Sequence, residues 1–153
     1  MRTLLRSISL FFVVAAGPAA CAAKLSAPDP LQQGKSIAGP VADYASLAAG
    51  LRIAGVPVEP EGETEQPFFS AKGRMFKVSG EDVQVFQYSQ AAVADAQAGL
   101  VSSDGSTVGT SKLNWIGPPH FYKKAKLIVL YVGNDNKVLT ALDAVLGPQF
   151  AGR

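Results

Sequence analysis

The sequence is short of almost every residue on which small exported domains and metal sites depend. It has one cysteine, Cys21, one histidine, His120, and one tryptophan, Trp115. A lone thiol closes no intramolecular disulfide, and a histidine without companions at ligand spacing holds no zinc-type site. Neither a metal nor another cofactor is expected. Charge of one sign is lacking too. If Arg2 and Arg6 leave with an N-terminal signal, twelve basic residues remain against twelve acidic ones. A formally neutral domain has none of the excess positive charge that dominates nucleic-acid affinity, so nucleic acid is set aside as a partner. No Gly-x-Ser-x-Gly turn is present to display a nucleophile.

What the N-terminus does have is direction. Two arginines in Met1-Arg-Thr-Leu-Leu-Arg6 precede an uncharged apolar run that ends at Ala16, and small residues follow to Cys21. This is the three-part layout of a secretory signal, which predicts a signal peptide over residues 1–20. The run is short for a span of about 20 apolar residues, although an uncleaved anchor from Leu4 to Ala23 is the alternative. In either case the arginines hold the N-terminus inside and the rest is delivered outward.

Pro18-Ala19-Ala20-Cys21 resembles the lipobox of bacterial lipoproteins, with a proline where an aliphatic residue is usual. The resemblance implies that Cys21 receives a diacylglyceryl group and becomes the mature N-terminus, tethered to a membrane. Ala22 follows in place of aspartate, which in that family implies the outer membrane where a host has two. Cleavage after Ala22 would instead discard the cysteine. Residues 21–40 are small, polar and proline-bearing, and read as a lipidated flexible linker ahead of a single domain at 41–153.

The domain alternates strand-like and helix-like patterns. Tyr44, Leu47, Ala48 and Leu51 predict a helix over 41–54, stopped by Gly55. Strands are expected at 74–78 and 82–88, then a helix over 90–100 capped by Ser89, with Ala92, Val93, Ala96 and Leu100 inward. A strand from about 107 to 116 leads to the break Gly117-Pro-Pro119. A hairpin of 120–123 with 126–132 follows, its second strand apolar on both faces and so central. Gly133-Asn-Asp135 caps a final helix from Asn136 to Leu146, ended by Gly147-Pro148. The order strand, strand, helix occurs twice and hints at a ββα pseudo-repeat. The fold class expected is α+β: two layers, a mainly antiparallel sheet of about four to five strands, helices on one face.

The C-terminal third carries Trp115, Pro118-Pro-His-Phe-Tyr122, Leu127-Ile-Val-Leu-Tyr-Val-Gly133 and Leu146-Gly-Pro-Gln-Phe-Ala-Gly152. With Pro67-Phe-Phe-Ser70 and Asp82-Val-Gln-Val-Phe86, these pieces resemble an uncharacterised group of small bacterial lipoproteins. The resemblance implies a compartment and no mechanism.

The binding candidates are Trp115, His120, Phe121 and Tyr122, because large amphipathic rings on a proline-stiffened segment suit recognition at low entropy cost. Their bland reading is core aromatics and a locally satisfied histidine. Glu59, Glu61, Glu63 and Glu65 alternate and would line one face of an extended chain as a stripe able to attract a divalent cation. Pro60 and Gly62 argue instead for a mobile loop, and the bland reading is a solvated run that keeps an edge strand from pairing. Lys123, Lys124 and Lys126, with Arg74 and Lys77 expected nearby, make a basic patch able to face anionic headgroups or simply water. No catalytic residue stands out. The leading expectation is a non-enzymatic envelope lipoprotein that binds a protein or another envelope component through the Pro118–Tyr122 region. The alternatives are a small hydrolase with His120 as general base, and a small-ligand binder with its pocket between sheet and helices.

Overall fold

A computed structural model describes residues 39–152; the signal peptide, Cys21 and nearly all of the expected linker lie outside the described residues. Helix α1 (Tyr44–Ile53) begins at Asp43, whose carboxylate accepts from Ser46 N while Ser46 Oγ accepts from Asp43 N, a reciprocal cap. Strands β1 (Val58–Thr64), β2 (Gly73–Val78) and β3 (Glu81–Gln87) follow as a meander. The β2–β3 link is the two-residue turn Ser79-Gly80, both at positive φ as the right-handed strand twist favours.

Helix α2 (Ala91–Ala98) leads to the short pair β4 (Thr107–Val108) and β5 (Ser111–Lys112). The single strand expected over 107–116 is therefore not formed, because the chain reverses at Gly109, which takes φ +57°. Strands β6 (Pro119–Lys124) and β7 (Leu127–Val132) form the second hairpin, followed by α3 (Asn136–Leu146) and a two-residue strand, β8 (Ala151–Gly152). Asp135 caps α3 through Lys137 N and Val138 N, at the predicted start.

The main sheet has the order β1-β2-β3-β7-β6-β8, antiparallel throughout, one strand more than the upper expectation. The class is α+β. As its double-sided apolar pattern predicts, β7 is interior, and Leu127 to Tyr131 are fully buried. Each such large side chain contributes roughly 1.5–3 kcal/mol by leaving water.

Alternation along the strands sends side chains to two cores. Val83, Val85, Val129, Tyr131 and Tyr122 meet α1 and α3 on one face. Phe86, Phe121, Ile128 and Leu130 meet Ala94 of α2 and the 66–72 and 101–115 segments on the other. The expected helix layer is thus built by α1 and α3, while α2 covers the reverse face. Strand, strand, helix does occur twice, as β2-β3-α2 and β6-β7-α3. The two helices lie on opposite faces, however, and a rotation exchanging neighbours β3 and β7 would keep them on the same one. The two halves share an order and not a symmetry.

Candidate functional site

Strand β6 carries three of the four residues singled out in the sequence, and a strand's two-residue period divides them. His120 and Tyr122 point toward the helix layer, whereas Phe121 points into the opposite core beside Trp115. The sheet itself stands between the two pairs. A single four-residue recognition surface is not what the fold builds.

Phe121 is fully buried in a row of aromatic rings. Its centroid lies 6.2 Å from Phe150 and 5.9 Å from Trp115, and Trp115 is 6.1 Å from Phe68, edge to face. Phe68, Phe69 and Phe86 continue the row at 5.0 and 4.8 Å. Trp115 is part-buried and its indole Nε1 donates to Gly105 O at 2.7 Å. Phe121 is core, and Trp115 is a wall of that core with one edge outward.

His120, 5% exposed, has both ring nitrogens engaged. Nε2 lies 3.0 Å from Gly133 O, an atom that only accepts, so Nε2 carries a proton. Nδ1 lies 2.7 Å from the side-chain amide of Gln149. The ring stacks on Tyr131 at 21°. No serine is among its partners, and neither nitrogen is open to take a proton from a substrate or nucleophile. The geometry is that of a histidine satisfied by its own fold.

Tyr122 is buried beside it. Burial, and then the neighbouring Asp143 carboxylate, hold its phenol well above the ordinary range. His120, Tyr122, Leu139, Asp143, Pro148 and Gln149 line a cleft of about 440 Å³ between β6 and α3.

One residue absent from the sequence candidates stands out. Ile116 is fully exposed. It occupies the tip of a loop braced on both sides, by the Trp115–Gly105 bond and by Gly133 N donating to Pro118 O at 3.0 Å. Reading 107–116 as a strand hid it; the sequence signal was an isoleucine between tryptophan and Gly-Pro-Pro, where hairpin burial is hard to achieve.

The two charge runs fare differently. Glu59, Glu61 and Glu63 belong to β1, an edge strand, as the bland reading of the acidic run expects, and not to a mobile loop. Glu59 pairs with Lys77, but the register shifts between Pro60 and Gly62, and Glu63 pairs with Arg74. The extra residue flips Glu63 to the other face. The stripe is therefore broken, and among the described residues no three His, Cys, Asp or Glu side chains gather to hold a metal ion. Such an edge, bearing a proline, a bulge and like charges, resists pairing with another chain.

On the basic side, Lys123 pairs with Asp95 of α2 and Lys77 with Asp82. Strands β3 and β7 separate β2 from β6, so Arg74 and Lys77 lie three strand spacings from Lys123, about 14 Å, and do not extend its patch.

No helix among the described residues is long and apolar enough to cross a membrane. No protein-family model, no curated protein and no solved structure matches the chain.

Proposed function

We propose that the protein is an exported envelope lipoprotein, held to a membrane by lipid on Cys21, whose domain is a non-enzymatic binding module working through the Trp115–Pro119 loop. The observation that carries the binding surface is the fully exposed Ile116 on a braced loop. An aliphatic side chain held out in water gains about 2 kcal/mol when a partner covers it, and a fixed loop loses little entropy in doing so. Part-exposed Trp115 flanks it with a ring suited to the centre of an interface. The anchor rests on the signal-like residues 1–20 and the Pro18-Ala-Ala-Cys21 resemblance. The hydrolase alternative is weakened by the engaged nitrogens of His120.

Two measurements test the two halves. Intact mass of membrane-extracted protein should show a diacylglyceryl increment in the wild type and none in Cys21→Ala. A photo-crosslinking amino acid at position 116, in cells producing the full chain, should give a discrete adduct that one at Thr140 does not. Cytosolic protein retaining residues 1–20 would end the anchoring proposal; an unreactive position 116 would end the binding proposal.

A further inference from the structure

Arg52 on α1 and Arg74 on β2 line one cavity of about 380 Å³, together with Tyr44, Ala48, Pro60 and Phe76. Both guanidinium groups are held in place by uncharged partners. Arg52 Nη2 donates to Val58 O at 2.8 Å, and the Arg74 guanidinium carbon sits 4.9 Å from the centroid of the Tyr44 ring. Neither forms an ion pair with a carboxylate among the described residues, whereas Lys77 and Lys123 both do.

Two acidic groups lie nearby, and neither pairs with these arginines. Asp43, which also lines the cavity, accepts from the backbone and hydroxyl of Ser46, and these bonds lower its pKa. Glu63 is the register partner of Arg74 without reaching ion-pair distance. Two guanidinium groups, neither in an ion pair among the described residues, therefore line one small space with aromatic and aliphatic walls. A single anionic group between them would use the fork geometry that guanidinium offers to carboxylate or phosphate. The walls of Ala48, Pro60, Phe76 and the Tyr44 ring would take an apolar chain.

We propose that this cavity binds a small amphipathic anion, its carboxylate or phosphate between Arg52 and Arg74 and its short apolar tail against Tyr44, Ala48, Pro60 and Phe76. The site lies on α1, β1 and β2, apart from the Trp115–Pro119 loop, and stands independently of the function proposed above.

The test is titration of the full chain with octanoate and with octyl phosphate, followed by amide chemical shifts; the preferred head tells carboxylate from phosphate. Either probe should saturate with shifts centred on Tyr44, Ala48, Arg52 and Phe76, and octan-1-ol should bind at least about tenfold more weakly, as loss of charge-assisted hydrogen bonds implies. Affinity should fall as salt is raised. Arg52→Gln and Arg74→Gln should each weaken binding about tenfold. If either fails to fold, Arg74→Lys keeps the charge but removes the fork and should still weaken binding several-fold. Octanol binding as tightly as both anions, shifts scattered over the surface, or folded arginine variants that bind like wild type would each overturn the proposal.

Discussion

The imidazole of His120 and the phenol ring of Tyr131 lie nearly parallel, centroids 5.9 Å apart, because the two residues face each other in register across β6 and β7. From that stacked position His120 reaches Gly133, just before α3, and Gln149, just after it. The Tyr131 hydroxyl accepts from Asp135 N at 2.9 Å, and Asp135 caps α3. One ring pair thus ties both ends of the last helix to the sheet. His120→Ala should leave the Gly133 carbonyl short of its donor and open a gap beside Tyr131, costing about 2–4 kcal/mol. Urea denaturation of the full chain checks this. An unchanged midpoint would argue that His120 serves something other than the fold.

Tyr88 presents the opposite case. Its hydroxyl is buried and has no hydrogen-bond partner, and burial raises its phenol to about 12. Tyr88→Phe removes the unsatisfied group and should leave stability equal or raise it by about 1 kcal/mol. The pH sign follows from linkage: an unfolded phenol ionises near 10, so wild-type stability is full below 10 and falls as pH rises from there through about 12. Thermal melting between pH 9 and 11.5 should show that decline blunted in the phenylalanine variant.

Helix α2 shows where the sequence could and could not be read. Its existence was legible, but its inward face was not: Ala94 is fully buried, while Val93 and Leu100, expected inside with Ala92 and Ala96, are 38% and 44% exposed. A helix with alanine at 91, 92, 94, 96 and 98 offers a small methyl on every side, so its periodicity does not select a face. Tertiary packing selects it. The reverse side of the sheet presents Phe86, Ile128 and Leu130, Phe69 of the 66–72 segment packs with them, and the residue of α2 buried in that cluster is an alanine. Its cap also differs, for Gln90 rather than Ser89 holds that position and makes no side-chain bond. By contrast α3, whose stripe includes buried Val138, Leu142 and Leu146, and β7, apolar on both faces, were legible because their patterns admit one solution each. Ala94→Leu should overpack the interface and cost about 1–3 kcal/mol, whereas Val93→Ser should change stability by no more than about 0.5 kcal/mol. Chemical denaturation separates the two assignments, since the reverse ranking follows if Val93 is the inward residue.

Strand β8 was not legible at all, because two residues carry no period and only the partner strand defines them. Gly152 takes φ +98°, and a Cβ there would stand 1.9 Å from Pro119 O, while its N donates to Ser103 O at 3.0 Å. Neither the backbone angle nor the space admits a side chain. Gly152→Ala should cost more than about 1 kcal/mol and release β8 from β6. Amide exchange gives the readout: Phe150 N, bonded to Phe121 O at 2.9 Å, should lose protection while β7 amides keep theirs. Retained protection at Phe150 would mean that β8 tolerates the methyl.

The turn that receives Gly152 also steadies the loop proposed for binding, and one carboxylate organises it. Asp104 accepts from Ser102 Oγ at 2.7 Å, Ser106 Oγ at 2.9 Å and Ser106 N at 3.0 Å, bonds that lower its pKa from 3.8 to about 2. Gly105, inside the turn, supplies the carbonyl that holds the Trp115 indole. A depressed carboxylate stabilises the folded state above its unfolded value, so the contribution is complete above about pH 4 and is lost as pH falls through about 2. Trp115 is the sole tryptophan, which makes its emission a direct report on this turn. Acid titration should move the wild-type emission toward that of solvated indole between pH 4 and 2. In Asp104→Asn, which has no charge to lose, the signal at pH 6 should already be shifted part of the way and should change little on acidification. A variant with a wild-type spectrum and a wild-type acid transition would mean that the turn holds Trp115 without Asp104, and the brace beneath Ile116 would have to be sought in the Pro118–Gly133 bond instead.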